Sequence, residues 1–479
     1  MQPNWMDILP LLLLAGGGFL VFCLGGFWKR RPQELLFGIA LAIAIVAAAT
    51  ALLVKPDQMQ FLEMLETGGY GRFFTFLLSL IAALGLLFSY QYGKVRGFAG
   101  DEFYGLLLLG ALGMILVSGA LHWLVFFLGL EILSLSLYVL IPIRKSQPAS
   151  NEAGLKYFIM GAVSSAFLAF GIAMVYATTG KMDIFQSLSA DIQTLRTPSM
   201  LLGLGLILTG IGFKISMAPL HLWTPDVYQG APAPVTAFLA AGSKVALFSA
   251  LLRLVYYFSG TTAWSYFVSV FWILALLTMA VGNVAALTQT RVKRLLAYSS
   301  IAQMGYLLMT LLAVRESGAF AIMFYLTLYA LMDLGAFGTL AILSEKEEDL
   351  DDLDKFRGLA YAHPWRSALF TLCLISLAGL PPTAGFMGKF ILFRAVLQAR
   401  FFVLAALGMG TVIVSVYFYF RVIVALFMQP VERRLVPPDL DLFARVAAAV
   451  IFVLILWLGL LPSPLLSLVE QSLPLVLRQ

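Results

Sequence analysis

The run Phe213-Lys214-Ile215-Ser216-Met217-Ala218-Pro219-Leu220-His221-Leu222-Trp223-Thr224-Pro225-Asp226, continuing through Gly230, Pro232 and Pro234, decides how this chain folds. Its surroundings are apolar enough for lipid, yet it holds a lysine, a histidine and repeated prolines. Proline removes a backbone donor and clashes with the preceding helical turn, so no continuous helix crosses this stretch. The chain must unwind near membrane depth. Broken backbone is tolerated there only where protein or a water-filled cavity satisfies the freed groups.

A second run, Gly379-Leu380-Pro381-Pro382-Thr383-Ala384-Gly385-Phe386-Met387-Gly388-Lys389, repeats the device, each break lying beside a lysine. Paired interruptions in corresponding places of two halves point to inverted repeats with an ion path at their interface. The expected organisation is N-terminal helices over 1–103, a first repeat over 104–258, a second over 259–428 and a C-terminal helix over 429–479.

Composition agrees with a membrane solvent. The chain has 479 residues, 61% hydrophobic and 12% charged, whereas soluble domains are about 25% charged. Apolar runs predict an all-α polytopic protein with about fourteen transmembrane helices. They include Trp123 to Ile143, Tyr157 to Thr178, Met200 to Pro219, Val235 to Phe258, Leu295 to Leu312, Phe320 to Leu343 and Ser367 to Val396. Assigning alternate loops to one side collects about 16 Lys and Arg there against about nine opposite, so both termini are expected outside the cytoplasm. That basic side includes Lys29, Arg30, Arg31, Lys94, Arg96, Arg144, Lys145, Arg291, Lys293, Arg294, Arg433 and Arg434. The net charge of +6 therefore reflects topology, and no nucleic-acid partner is expected. The loop Glu345 to Arg357, rich in Asp and Glu, reads as a solvated face or a surface for a neighbouring subunit.

Two cysteines, Cys23 and Cys373, are too few for an iron–sulfur cluster, which needs about four ligands. No phosphate loop, dinucleotide fingerprint or metal-spaced His/Cys cluster occurs. The chain is thus expected to hold no cofactor itself.

The informative residues are ionisable ones inside apolar spans. A charge at a helix centre costs roughly 2.5–3.5 kcal/mol on insertion scales, so Glu131, Lys214, Lys244 and Lys389 need a use or a partner. Lysine suits proton transfer, since a desolvated lysine can release its proton and arginine cannot. Lys214 is the expected partner of Glu131, and His221 in the unwound stretch could relay or simply bond the freed carbonyls. Asp333 is a further carboxyl inside a span. Lys156 lies at a helix entrance, where relaying and snorkelling are equally open.

The first run together with Gly242-Ser243-Lys244, the run Arg291-Val292-Lys293-Arg294 through Tyr298-Ser299-Ser300 to Gln303 and Tyr306, and the second break resemble the antiporter-like N subunits of respiratory complex I. That resemblance spans essentially the whole chain. It implies a proton-translocating subunit of an NADH:quinone oxidoreductase, a translocase in the cell membrane (the inner membrane of a Gram-negative cell). Its partners would be other membrane-arm subunits, and FMN, iron–sulfur clusters and quinone would be held by partner subunits of the complex. It also implies that Glu131 and Lys214 form the coupled acid–lysine pair, Lys244 the central relay and Lys389 the lysine of the second break. Asp333 departs from the family pattern, in which a neutral residue is common. The alternatives are a subunit of a multisubunit sodium/proton antiporter, a non-pumping scaffold of the membrane arm, and a stand-alone solute transporter.

Overall fold

The computed structural model describes residues 4–27, 33–53, 60–189, 191–261, 264–346, 348–430, 437–438 and 441–473. The basic residues Lys29, Arg30, Arg31, Arg433 and Arg434 lie outside these. Eleven helices among the described residues are long and apolar enough to cross a membrane. The other three expected spans take a different form. Met200 to Pro219 becomes the helix Pro198–Lys214, which stops at its lysine and is followed by the short helix Trp223–Gly230. Ser367 to Val396 is split into Pro364–Ala378 and Ala384–Gln398. Leu295 to Leu312 is the helix Val292–Leu311, buried on nearly every face.

Burial sorts the helices into a centre and a lipid-facing rim. The apolar stretches of Ala233–Ser259 and Val314–Leu343 are wholly buried, and that of Gly69–Arg96 nearly so, whereas that of Leu442–Leu460 is only 28% buried. A helix that is apolar on all sides belongs in a core, and these carry Lys244 and Asp333 at positions of 0% exposure.

Two sets of helices share one packing scheme. Asp101–Gly119 lies against Trp123–Leu140 and Ala233–Ser259, while Pro148–Thr179 holds both Pro198–Lys214 and Trp223–Gly230. In the same order, Trp264–Leu287 lies against Val292–Leu311 and Phe402–Met428, while Val314–Leu343 holds Pro364–Ala378 and Ala384–Gln398. Both leading hairpins are closed by glycines. A Cβ on Gly113 would stand 2.6 Å from the Leu133 nitrogen and one on Gly129 2.9 Å from that of Val117. In the second set, Gly282 faces the Ala302 nitrogen at 2.5 Å and Gly305 that of Met279 at 2.6 Å. Small residues let membrane helices approach until backbones touch, because lipid supplies no hydrophobic drive between them.

The acidic loop is only partly solvent-facing: Glu348 and Asp354 are 66% and 65% exposed, whereas Asp349 is 14% exposed. It folds back onto its own chain, because three basic side chains at the helix ends have their counter-charge there. Asp349 meets Lys293 at 3.0 Å, Arg96 at 3.4 Å and Arg144 at 3.7 Å, and accepts the Tyr92 hydroxyl. Asp351 accepts the Lys293 backbone N–H at 2.8 Å and the Gln229 amide at 3.1 Å. Lys293, 2% exposed, also donates to the Ala231 carbonyl at 2.6 Å. The loop that follows the Asp333 helix thus clasps the end of the first broken helix.

Burial pushes the Asp349 carboxyl up, but Lys293, Arg96 and the Tyr92 hydroxyl outweigh it and hold the group below the usual carboxylate range. Asp349→Asn should cost about 3–5 kcal/mol at neutral pH by leaving Lys293 buried without its counter-charge. Because the folded-state value is the lower one, this stabilisation is complete above the unfolded value near pH ~3.9 and is lost as pH falls through the depressed one. Melting of wild type and variant across pH measures it: the gap stays constant from neutral down to mild acid and closes only below. Gly129→Val or Gly305→Val should destabilise by about 1–3 kcal/mol through overpacking. In the same melts Gly410→Val, with nothing within 4 Å of its Cβ, stays within about 0.5 kcal/mol of wild type.

Candidate functional site

Each break leaves helix-terminal carbonyls without intrahelical partners. At the first, Pro198–Lys214 ends, Ser216 takes the left-handed conformation (φ 63°), and Trp223 restarts a helix. A non-glycine residue in that region is strained and persists only where its surroundings hold it. They do so here through hydrogen bonds. The Trp223 indole N–H donates to the Phe213 carbonyl at 2.8 Å, the Ala218 N–H donates to Thr278 Oγ1 at 3.1 Å, and the Thr224 hydroxyl donates to Ser216 Oγ at 2.6 Å.

Lys244 closes this turn. Its Nζ donates to Ser216 Oγ at 2.8 Å and the Ile215 carbonyl at 3.2 Å, with the Tyr228 ring centre 5.8 Å away. The ammonium therefore rests on the negative end of a half-helix. The second break uses its lysine in the same way. Lys389 Nζ donates to the carbonyls of Leu377 at 2.8 Å and Ala378 at 3.1 Å, the last residues of Pro364–Ala378, beneath the Tyr306 ring at 5.3 Å. At the first break the lysine comes from the next helix; at the second it comes from the far half of the same one.

Glu131 and Lys214 do not touch. Lys214 Nζ donates to Ser134 Oγ at 2.7 Å and lies near the rings of Tyr157 and Tyr138, at 5.4 and 5.7 Å. Ser134 is one turn along the helix from Glu131 and donates onward to the Leu130 carbonyl at 2.7 Å. The expected contact pair is thus a through-space coupling with a serine hydroxyl on the lysine. Glu131 Oε1 is buried with no hydrogen-bond partner among the described residues. No hydrogen bond joins the His221 ring to Lys214 or Lys244 among the described residues, although His221 sits in the turn between them, 8% exposed.

Lys156 stands apart from this line. It is held by Glu152 and Asp226, both at 2.7 Å, and Asp226 also takes Arg294 at 2.6 Å. These residues border a cleft of about 690 Å³ that reaches the acidic loop. Asp333 interacts electrostatically with Lys244, and its Oδ2 accepts the Tyr329 hydroxyl at 2.8 Å.

Sequence reasoning passed over the groups that connect these charges. Ser216 carries no signal, since its role comes from a backbone conformation. Ser134 was visible one turn from Glu131. Gln303 stands in a quoted motif, yet only the fold shows its amide donating to the Leu377 carbonyl at 3.3 Å, the same carbonyl that holds Lys389. Among the described residues no group of three or more His, Cys, Asp or Glu could hold a metal ion. The arrangement gathers groups able to exchange protons in the buried interior, with Lys214 on the Ser134 hydroxyl and Lys244 on that of Ser216.

Comparison with known proteins assigns the chain a family. Residues 120–415 match the family described as "NADH:quinone oxidoreductase/Mrp antiporter, TM". NADH-quinone oxidoreductase subunit N 1 of Solidesulfovibrio magneticus is 47% identical over 426 residues, 88% of this chain and 87% of that one. Subunit N of Geotalea uraniireducens is 41% identical over 472 residues, 97% and 98% of the two chains. A chain of respiratory complex I from Thermus thermophilus, solved with bound aureothin, superposes with a TM-score of 0.83 at 37% identity, covering 96% of this chain and 99% of that one. A multi-span helical protein with two lysine-bearing helix breaks, matched by these relatives over 88% and 97% of its length, belongs to the NADH:quinone oxidoreductase/Mrp antiporter family and, within it, to the N subunits of NADH-quinone oxidoreductase.

Proposed function

We propose that this chain is a proton-translocating membrane subunit of an NADH:quinone oxidoreductase, driven by quinone reduction elsewhere in the complex. The observation that carries the reading is Lys244 seated on the unwound turn directly after Lys214, with Lys389 seated likewise on the second break. FMN, iron–sulfur clusters and the quinone site belong in this reading to partner subunits, which supply the energy.

The repeats run over 104–258 and 259–428. The shared packing scheme supports them, and five crossings in each, an odd number, make the second inverted with respect to the first. The basic helix ends around Arg96, Arg144 and Lys293 mark the cytoplasmic side, with both termini opposite. On that side the cleft at Lys156, Asp226 and Arg294 serves uptake.

Glu131 acts on Lys214 through space and stabilises its ammonium form. Withdrawal of that carboxylate frees the proton, which crosses the unwound turn by His221 and the Ser216 hydroxyl to Lys244, and then passes through the second unit to Lys389. Each charge moved against the membrane potential costs about 2.3 kcal/mol per 100 mV, so the sequence runs only when redox chemistry resets it. The wording His221-Leu222-Trp223-Thr224-Pro225-Asp226-Val227-Tyr228-Gln229-Gly230 favours this reading over the sodium/proton antiporter subunits.

Arginine keeps the charge of lysine and cannot release a proton. In proteoliposomes of the intact complex, Lys214→Arg should oxidise NADH with a reduced number of protons moved per electron. Glu131→Gln should slow coupled transport by about tenfold or more, as loss of a positioned acid–base group does. Full proton yield in Lys214→Arg contradicts the deprotonation role. Intact transport after neutralising Glu131 and Lys214 together identifies a scaffold instead.

A further inference from the structure

Asp333, on the helix Val314–Leu343, is a carboxyl of 0% exposure that lies between Lys244 and Lys389 in sequence. Its Oδ1 has no hydrogen-bond partner among the described residues. Its Oδ2 accepts from the hydroxyl of Tyr329, four residues back on the same helical face, at 2.8 Å. An unsatisfied carboxylate oxygen in a sealed interior is costly, and such a group stays ionised only with a counter-charge or takes up a proton. Lys244 is near enough to interact with it electrostatically but is not bonded to it.

Tyr329 makes the site more than a buried acid. Its hydroxyl has one proton and two acceptors in reach: Asp333 Oδ2 at 2.8 Å and the Ala240 carbonyl at 3.2 Å. Ser300 Oγ, at 2.7 Å, can donate to it or accept from it. Ala240 belongs to the π-helical turn Leu239–Ser243, which runs directly into Lys244. Such turns recur at functional sites because they loosen the regular ladder.

We infer that Asp333 is a proton-carrying residue joining the two halves, and that Tyr329 reports its protonation to the turn that carries Lys244. This rests on the translocation reading above and adds a carrier to it. With Asp333 ionised, Tyr329 donates to Oδ2 and not to the Ala240 carbonyl. When Lys244 gives up its proton and Asp333 takes it, ammonium and carboxylate become amine and carboxylic acid, and no further reactant is needed. The new carboxyl O–H donates to the Tyr329 oxygen, and the tyrosine proton turns to Ala240. The π turn then gains a hydrogen bond just as Lys244 has lost its charge. Return of the proton to the next acceptor, toward Gln303 and Lys389, resets the hydroxyl.

Asparagine at 333 accepts the Tyr329 hydrogen bond in the same place but carries no proton, which separates a structural role from a transport one. In proteoliposomes of the intact complex, Asp333→Asn should assemble and oxidise NADH while moving fewer protons per electron, and Asp333→Glu should restore the yield. Wild-type yield in Asp333→Asn, with Lys244→Met deficient in parallel, overturns the inference and leaves the translocation reading standing. Wild-type yield in both overturns both. Should Asp333→Asn fail to assemble, infrared difference spectra of the turning-over complex decide. A protonated-carboxyl band that shifts in Asp333→Glu supports the inference; identical carboxyl bands in the two overturn it.

Discussion

Everything distinctive in this fold depends on one contact, the Lys244 ammonium on the carbonyl of Ile215 and the hydroxyl of Ser216. A helix that ends inside a membrane leaves carbonyls with no water to satisfy them, and a lysine there has no solvent for its charge. Each costs free energy alone, and each supplies what the other lacks. The strained φ of Ser216, the indole bond from Trp223 and the hydroxyl of Thr224 hold the turn open for that contact. The second break repeats the solution with Lys389 and the carbonyls of Leu377 and Ala378.

The surrounding helices supply the rigidity this contact needs. Glycine-mediated approach of Asp101–Gly119 to Trp123–Leu140, and of Trp264–Leu287 to Val292–Leu311, closes the two leading hairpins, the second with one buried hydrogen bond from the Asn283 amide to the Tyr306 hydroxyl at 3.2 Å. The polar groups are thereby reserved for the interior line and for the basic helix ends. At those ends Asp349 neutralises Lys293 while Lys293 holds Ala231, so the loop after the Asp333 helix is tied to the first broken helix. A shift of either unit is felt by the other, which a device passing charge between them requires.

Much of this was legible in residue order. The prolines after Lys214 and before Lys389 located both breaks, the apolar runs located the spans, and the insertion cost of a buried charge singled out the ionisable residues. Partners were harder to read. Glu131 and Lys214 looked like a contact pair because two opposite charges invite pairing, but Ser134 occupies the lysine's hydrogen-bonding position. The acidic loop looked solvated because like charges repel, yet Arg96, Arg144 and Lys293 converge on Asp349 from segments far apart in sequence. Lys156, equally open to two readings, is an ion-paired residue at the rim of a cleft. Such meetings are set by tertiary geometry, which local pattern does not encode.

The central claim is that the lysine on the unwound turn must lose and regain its proton during turnover. The most direct test is the number of protons translocated per NADH oxidised by the reconstituted complex bearing Lys244→Arg, since arginine keeps the positive charge on the turn without releasing a proton. The account predicts continued NADH oxidation with a proton-to-electron ratio below that of the wild type. An unchanged ratio would contradict it.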